Sequence, residues 1–600
     1  MSISVTERPA ALTRRDIALE IVSPSPGPVP GRPMERDVTA LIAAERARLL
    51  AEAGLNVQPI AHFKRPVERP FTRQEREQVT ILFGGLTMRH DSLILAGLEG
   101  LGYKLAHIPV PTKADFQAGK EYGNNGQCNP TYFTVGALVN YLKDLRDRQG
   151  LSTEEIIRNY VFVTAGACGP CRFGMYEAEY RLALRNSGFD GFRVLLFQQS
   201  GGLSQSEVEA GLEMNVDFFL TILNAIFIGD LLNEVAYHIR PYEIVPGKTD
   251  EVMARCLKLC QDRLRSKDYG SLRAGLWERL VSRFTPLDNG DEVRKFVDQL
   301  WGDYYVSALR ECAQLIREEI EVDYTRPKPI VKITGEFWAQ TTEGDGNFNM
   351  FPFLEREGAE VLVEPVTTWI SYLIHHARLH ARDRRGLVDG QERPGRFELG
   401  KRWQTQVQYY RKMFSLGAAD RILTREYERL RKALGGTAHP LAPQPELQRV
   451  AHPYYNTRSG GGEGHLEVAK NIYYCNRNLC HMVLSLKPFG CMPSTQSDGA
   501  QAAVVAHFPD IIFLPIETSG EGDVNAHSRV QMALGEAKVK CKDEFRRVLE
   551  QTGRSIDEIR AFVSTRRDLR DPLMHLPEYE GVVGRAARFV KYVSELMDGR

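Results

Sequence analysis

The chain has 600 residues, with 77 lysines and arginines against 77 aspartates and glutamates. That balance gives no electrostatic handle for nucleic acid or an anionic membrane surface. Hydrophobic residues make up 43%, the share of a soluble globular chain, and the length allows about two to four domain cores. The first thirty or so residues lack a signal peptide's apolar region, and no stretch reads as the roughly eighteen apolar residues of a membrane span. A cytoplasmic protein is expected, and in that compartment ten cysteines point to metal ligands or catalytic thiols rather than a disulfide framework.

Residues 1–75 read as an extension, with a proline-rich linker from Pro24 to Pro33 and a short amphipathic helix from Thr39 to Ala53. A first α/β domain is expected over 76–204. Val79 to Phe83, Lys104 to Val110, Tyr160 to Thr164 and Phe192 to Phe197 are strand-like runs separated by helical patterns, the alternation of a parallel sheet covered by helices. Neither GxGxxG nor GxxxxGK[ST] occurs, so the glycine-rich turns are neither a dinucleotide fingerprint nor a phosphate loop. A helical subdomain follows over 205–327, and Cys256, Cys260 and Cys312 on its apolar-periodic stretches are expected in the core. A second α/β domain spans 328–545, with strands at 329–334, Ala359 to Val363, His481 to Leu486 and Asp510 to Pro515. It echoes the first domain as a structural duplication. The basic stretch from His375 to Arg385 reads as a solvated helix, Cys541 as a core residue of a late helix, and 546–600 as a helical segment.

Chemistry concentrates in turns. Cys168-Gly-Pro-Cys171 sits between a strand and a helix, where α/β sheets place ligands and a helix N-terminus favours thiolates. Cys128 precedes Pro130 at the start of another helix, and Cys491 follows the strand ending near Leu486. Zinc would be served by four thiols, but structural zinc sites use short paired knuckles, whereas these cysteines are hundreds of residues apart. A redox dithiol needs only Cys168 and Cys171 and leaves Cys128 and Cys491 unexplained. An iron–sulfur cluster held from several turns accounts for all four.

Six features, in this order, run through residues 78–541: Tyr122-Gly-Asn-Asn-Gly-Gln-Cys128, the Cys171-Arg172 turn, Gly335-Glu336 with its following Asn-rich turn, Gly462-Glu463-Gly464, Pro488-Phe-Gly-Cys491-Met-Pro, and Asn525. Together they resemble the 2-hydroxyacyl-CoA dehydratase superfamily, most of all the dehydratase-like C-terminal region of its large activase-related proteins. The resemblance implies two or more Rossmann-like parallel-sheet domains and an oxygen-sensitive [4Fe–4S] or double-cubane cluster. Cys128, Cys171 and Cys491 match the family's cluster cysteines, Cys168 adds a fourth thiol, and Cys475 with Cys480 would complete a double-cubane set. The resemblance also implies a homodimer and a low-potential electron for a small-molecule, acyl-CoA-type substrate. No motif of the family's ATPase domain lies in the chain, so the resemblance implies a separate actin/Hsp70-type ATPase with its own cluster as the electron donor, and no bound ATP on this chain. Arg172 is a candidate partner of an anionic cluster or substrate, Glu463 a candidate proton-transfer group that a loop would by default leave solvated, and Asn124 and Asn125 turn formers. Two other classes stay open: a metal-free thiol–disulfide oxidoreductase using Cys168 and Cys171, and a non-catalytic scaffold of an iron–sulfur complex.

Overall fold

The computed structural model describes residues 44–45, 47–49, 51–52, 68–166, 171–198, 202–203, 211–267, 290–387, 393–395, 397–460 and 463–599. The chain divides into a unit of residues 1–66 and a unit of residues 67–600. Of the first, only helical residues between 44 and 52 are described, and everything below concerns the second.

Two sheets form from the β-branched and aromatic runs. The first comprises β1 (Thr80–Phe83), β2 (Lys104–His107), β3 (Tyr160–Gly166), β4 (Arg193–Gln198) and a short β5 (Gly202–Leu203), in the order β2-β1-β3-β4-β5. Only β5 runs antiparallel, on the edge of β4. The second comprises β6 (Ile330–Gly335), β7 (Glu360–Leu362), β8 (Met482–Pro488) and β9 (Phe513–Thr518), all parallel, in the order β7-β6-β8-β9. Each sheet therefore starts at a central strand, steps outward once, then reverses to the other side. Such a reversal opens a crevice at the carboxyl ends of the central strands, between β1 and β3 in one sheet and between β6 and β8 in the other. The α/β class with two parallel sheets matches the reading of the sequence.

The central strands of the second sheet are buried on both faces, as parallel strands covered by helices must be; every residue of β6 and β8 is buried. At the end of β6, Gly335 has φ +118° and lies so close to β8 that a Cβ there would sit 2.0 Å from the Leu486 carbonyl oxygen. Only glycine lets the two strands approach so closely just before Glu336.

Helices Val216–Ile239, Lys248–Arg265 and Tyr304–Glu319 occupy the region read as helical. They share one apolar core with β1, β3, helix Met88–Gly100 and the C-terminal helix Arg585–Met597. Cys256, Cys260 and Cys312 are fully buried in it, with Cys260 Sγ 3.8 Å from Cys312 Sγ, and Cys541 is buried too. The core reading of all four holds.

Three expectations need correction. Among the described residues one segment, Val216–Tyr242, is long and apolar enough to cross a membrane, although no such stretch was expected. It is a core helix: 67% of its most apolar stretch is buried, and its buried Asp230 accepts from the backbone N–H groups of Val366 and Thr367 at 2.7 and 2.9 Å. The helix expected over 466–480, after the Gly462-Glu463-Gly464 turn, ends at Asn476, and Asn478 takes a left-handed φ of 54° before the chain enters β8. His375, expected on a solvated helix, is buried and bonded to Gln448 at 2.9 Å.

Candidate metal centre

Three cysteines hold the same structural position. Cys128 is the N-cap of helix Asn129–Asp147, Cys171 of the 3-10 turn Arg172–Met175 that follows β3, and Cys491 of helix Met492–His507 that follows β8. Pro130 and Pro493 stand in the first turns of their helices, where a missing N–H costs nothing. Glu336 takes the equivalent place after β6: it caps helix Phe337–Thr341 and accepts the Ala339 N–H at 3.0 Å.

These turns converge across the two sheets. Asn129, next to Cys128, donates its backbone N–H to the Phe489 carbonyl at 3.1 Å and its side-chain amide to the Thr518 carbonyl at 2.5 Å. A Cβ on Gly490 would lie 3.4 Å from Cys128 Cα and 3.5 Å from Arg172 Nη1, so Gly490, with φ +76°, lets the Cys491 turn reach both other turns. The thiols act on one another electrostatically: a charge on Cys128 raises the pKa of Cys171, and a charge on Cys171 raises that of Cys491.

Hydrogen bonds are directed at the sulfurs. Cys128 Sγ is 3.0 Å from Tyr176 Oη and 3.3 Å from Thr131 Oγ1. Cys491 is served by Ser494, and Cys171 by the backbone N–H of Phe173. Tyr176 is fully enclosed, and burial with the neighbouring Cys128 and Glu336 charges holds its phenol protonated.

The helix N-termini do not deliver thiolates. Burial, the largest cause, pushes Cys171 up to about 11, with Glu336, Cys128 and Glu463 adding to the rise. Cys128 and Cys491 are raised by burial and by Glu336, against the hydrogen bonds that favour their ionised forms. Glu336 is itself lifted to about 7 by burial, with Glu463 and Glu467 adding to it, despite the N–H groups of Trp338 and Ala339. The site thus gathers three thiols that burial keeps protonated beside a buried carboxyl, Glu336, that has no cationic partner within it among the described residues. A thiophilic cationic centre relieves that arrangement, because a coordinated thiol is deprotonated outright. The donor set fits an iron–sulfur cluster held by thiols from separate turns.

The other expected residues fall out as follows. Cys168 lies outside the described residues, as does Gly462. Arg172 is half-buried, and its Nη1 donates to the Gly126 carbonyl, bracing the Cys128 turn. Glu463 is buried rather than solvated, 3.4 Å from Lys470 Nζ, and burial raises its pKa. Asn124 shapes its turn by donating its backbone and side-chain N–H groups to Glu179 at 3.1 and 2.8 Å, and Asn125 and Asn525 are exposed. Cys475 and Cys480 pair with each other, but they precede β8 whereas Cys491 follows it. Seven strand residues at about 3.3 Å each separate the two ends by roughly 20 Å, so the six cysteines are not gathered into one set. Reading the sequence alone placed Glu336 in the resemblance without giving it a role in the site, and missed Tyr176. The signal for Glu336 was its place directly after the strand run Ile330–Gly335, the position that cysteine holds after β3 and β8. Comparison with known proteins adds no relative: no family model matches the chain, and neither does any curated protein or solved structure.

Proposed function

We propose that Cys128, Cys171 and Cys491, with Cys168 as a fourth thiol, hold an iron–sulfur cluster, and that the protein is a cytoplasmic electron-transfer reductase of the 2-hydroxyacyl-CoA dehydratase type. The observation that carries this reading is the approach of three cysteine-capped helix starts to one another, one from the loop between helices Lys113–Tyr122 and Asn129–Asp147 and the others from the turns after β3 and β8, with Gly490 packed against Cys128 and Arg172. When bound, such a cluster supplies one-electron chemistry at low potential, with an open iron position if only three thiols ligate it.

The chain's own residues set the conditions. Tyr176, Thr131 and Ser494 donate to the sulfurs and stabilise added negative charge. Burial of Cys128 and Cys491 excludes water. Glu336, lifted to about 7, exchanges its proton near neutral pH, as a group that accompanies electron arrival with proton transfer must. Glu463 and Lys470 hold a second, buried acid–base pair behind it. The donor in this reading is a separate actin/Hsp70-type ATPase with its own cluster, the acceptor is a small molecule of the acyl-CoA class, and the working unit is a homodimer.

The test is anaerobic reconstitution with iron and sulfide, reduction with titanium(III) citrate, and rapid mixing with a panel of 2-hydroxyacyl-CoA thioesters. The expected result is a paramagnetic signal of the reduced protein that at least one thioester abolishes. A reducible centre indifferent to every thioester leaves a relay or scaffold, and a chain with no reducible centre overturns the reading.

A further inference from the structure

A second group of donors lies apart from the cysteines, where helix Val216–Ile239 meets the turn after helix Leu399–Ala433. Glu234 and His238 are four residues apart on the first helix, hence on one face. His439 comes from the turn 434–443 and is fixed over them: Glu234 Oε1 accepts its backbone N–H at 2.6 Å and lies 2.6 Å from its Nδ1. One donor atom from each of the three residues lies within 4.8 Å of the others. A point equidistant from atoms so spaced is under about 3 Å from each, so small side-chain shifts reach the ~2.1 Å of a zinc bond.

We propose that Glu234, His238 and His439 form a binding site for one divalent transition-metal ion of the zinc class, with an open coordination position facing the adjoining cavity.

Four observations carry it. First, the His238 side chain is only 4% exposed, and among the described residues neither ring nitrogen has a hydrogen-bond partner. A buried imidazole normally has one. Second, Glu234 Oε2 is buried and equally unpartnered, while the neighbouring cations are engaged elsewhere: Lys332 with Glu364 at 2.7 Å, and Arg431 with Glu428 at 2.7 Å. Third, the other carboxylate nearby, Glu360, is 3.6 Å from His238 Nε2 but already neutralised by Arg585 at 2.8 Å and bonded to Tyr242 at 2.9 Å. The ion therefore has Glu234 as its anionic ligand and two imidazoles as neutral ones, a two-histidine, one-carboxylate set that suits zinc or ferrous iron. Fourth, His238 and His439 line a cavity of about 290 Å³ whose wall also carries His575, Arg585 and Arg588. Three protein ligands beside such a space are the arrangement of a catalytic rather than a closed structural ion.

The test is titration of the metal-stripped full chain with cobalt(II) and with zinc, on the wild type and on a Cys128→Ser/Cys171→Ser/Cys491→Ser variant in parallel. The expected result is one ion per chain whose cobalt spectrum shows d–d bands without sulfur-to-metal charge transfer, present in both proteins. His238→Gln and His439→Gln should each weaken zinc binding on the order of a hundredfold. Sulfur charge transfer that accounts for all bound cobalt, binding that vanishes with the cysteines, or affinity indifferent to both histidine variants would each overturn the proposal. If either histidine variant fails to fold, the spectrum of the wild type decides alone. The outcome is independent of whether the cysteines hold iron.

Discussion

Two groups of three cysteines lie in this molecule, and their surroundings differ in every respect that matters for chemistry. Cys256, Cys260 and Cys312 are fully buried on the inner faces of two helices among Val252, Met253, Leu264, Leu309 and Ile316; their sulfurs meet each other and helix carbonyls. Cys128, Cys171 and Cys491 cap helix starts at the edge of the crevice, with hydroxyls and an N–H aimed at their sulfurs and two carboxyls, Glu336 and Glu463, bearing on them. Proximity of thiols does not separate the groups, since Cys260 and Cys312 are in contact. What separates them is hydroxyl and N–H partners at the sulfurs and a place at helix starts rather than within helices.

The comparison breaks most decisively on metal content. Cys128→Ser, Cys171→Ser or Cys491→Ser should each drop reconstituted iron from about four atoms per chain to near none, whereas Cys256→Ser and Cys312→Ser should leave it unchanged; iron assay of purified variants reads this directly. Alkylation of the metal-free protein, mapped by mass spectrometry, separates the groups next. Cys171 is half-buried, and its thiol, pushed up to about 11, is protonated at neutral pH. Its labelling should therefore rise about tenfold per unit from pH 7 until the pH nears that value, while Cys256, Cys260 and Cys312 label only as fast as the protein unfolds.

Stability sharpens the contrast in the opposite direction. Cys312→Ser places a hydroxyl in an apolar core and should cost about 1–3 kcal/mol in the metal-free protein, read as a lowered urea midpoint. Cys128→Ser should cost under about 1 kcal/mol, because Tyr176 and Thr131 already offer hydrogen bonds there. The smallest effect belongs to Tyr176→Phe. Removing the donor 3.0 Å from Cys128 Sγ leaves iron bound but lowers the midpoint potential by roughly 40 mV, the equivalent of about 1 kcal/mol of hydrogen bonding to the reduced state.

The sequence made the architecture readable because strand runs such as Ile330–Gly335 and Met482–Pro488 are short and apolar, and glycine, proline and cysteine punctuate their ends. The three helix-capping cysteines were legible for the same reason, and the core cysteines because they sit at helical spacing among apolar residues. Ionisation was not: a helix start favours thiolate, but burial beside Glu336 and Glu463 outweighs it, and burial depends on packing between the two sheets. Nor could spacing show that Cys475 and Cys480 fall at the far end of β8. Glu234 and His238 stand at helical spacing in the sequence, but their third partner, His439, is brought in by the fold alone. The membrane-like apolarity of Val216–Tyr242 likewise reflects its place at the centre of the core, where nearly every face of a helix is covered.

The central claim is that the cysteine-capped crevice is an iron–sulfur site. Its most direct test is the iron and acid-labile sulfide content of the anaerobically reconstituted wild-type chain, with electron paramagnetic resonance after dithionite reduction. The account predicts about four iron and four sulfide per chain and a reducible paramagnetic centre. A chain that takes up neither iron nor sulfide under those conditions would contradict it.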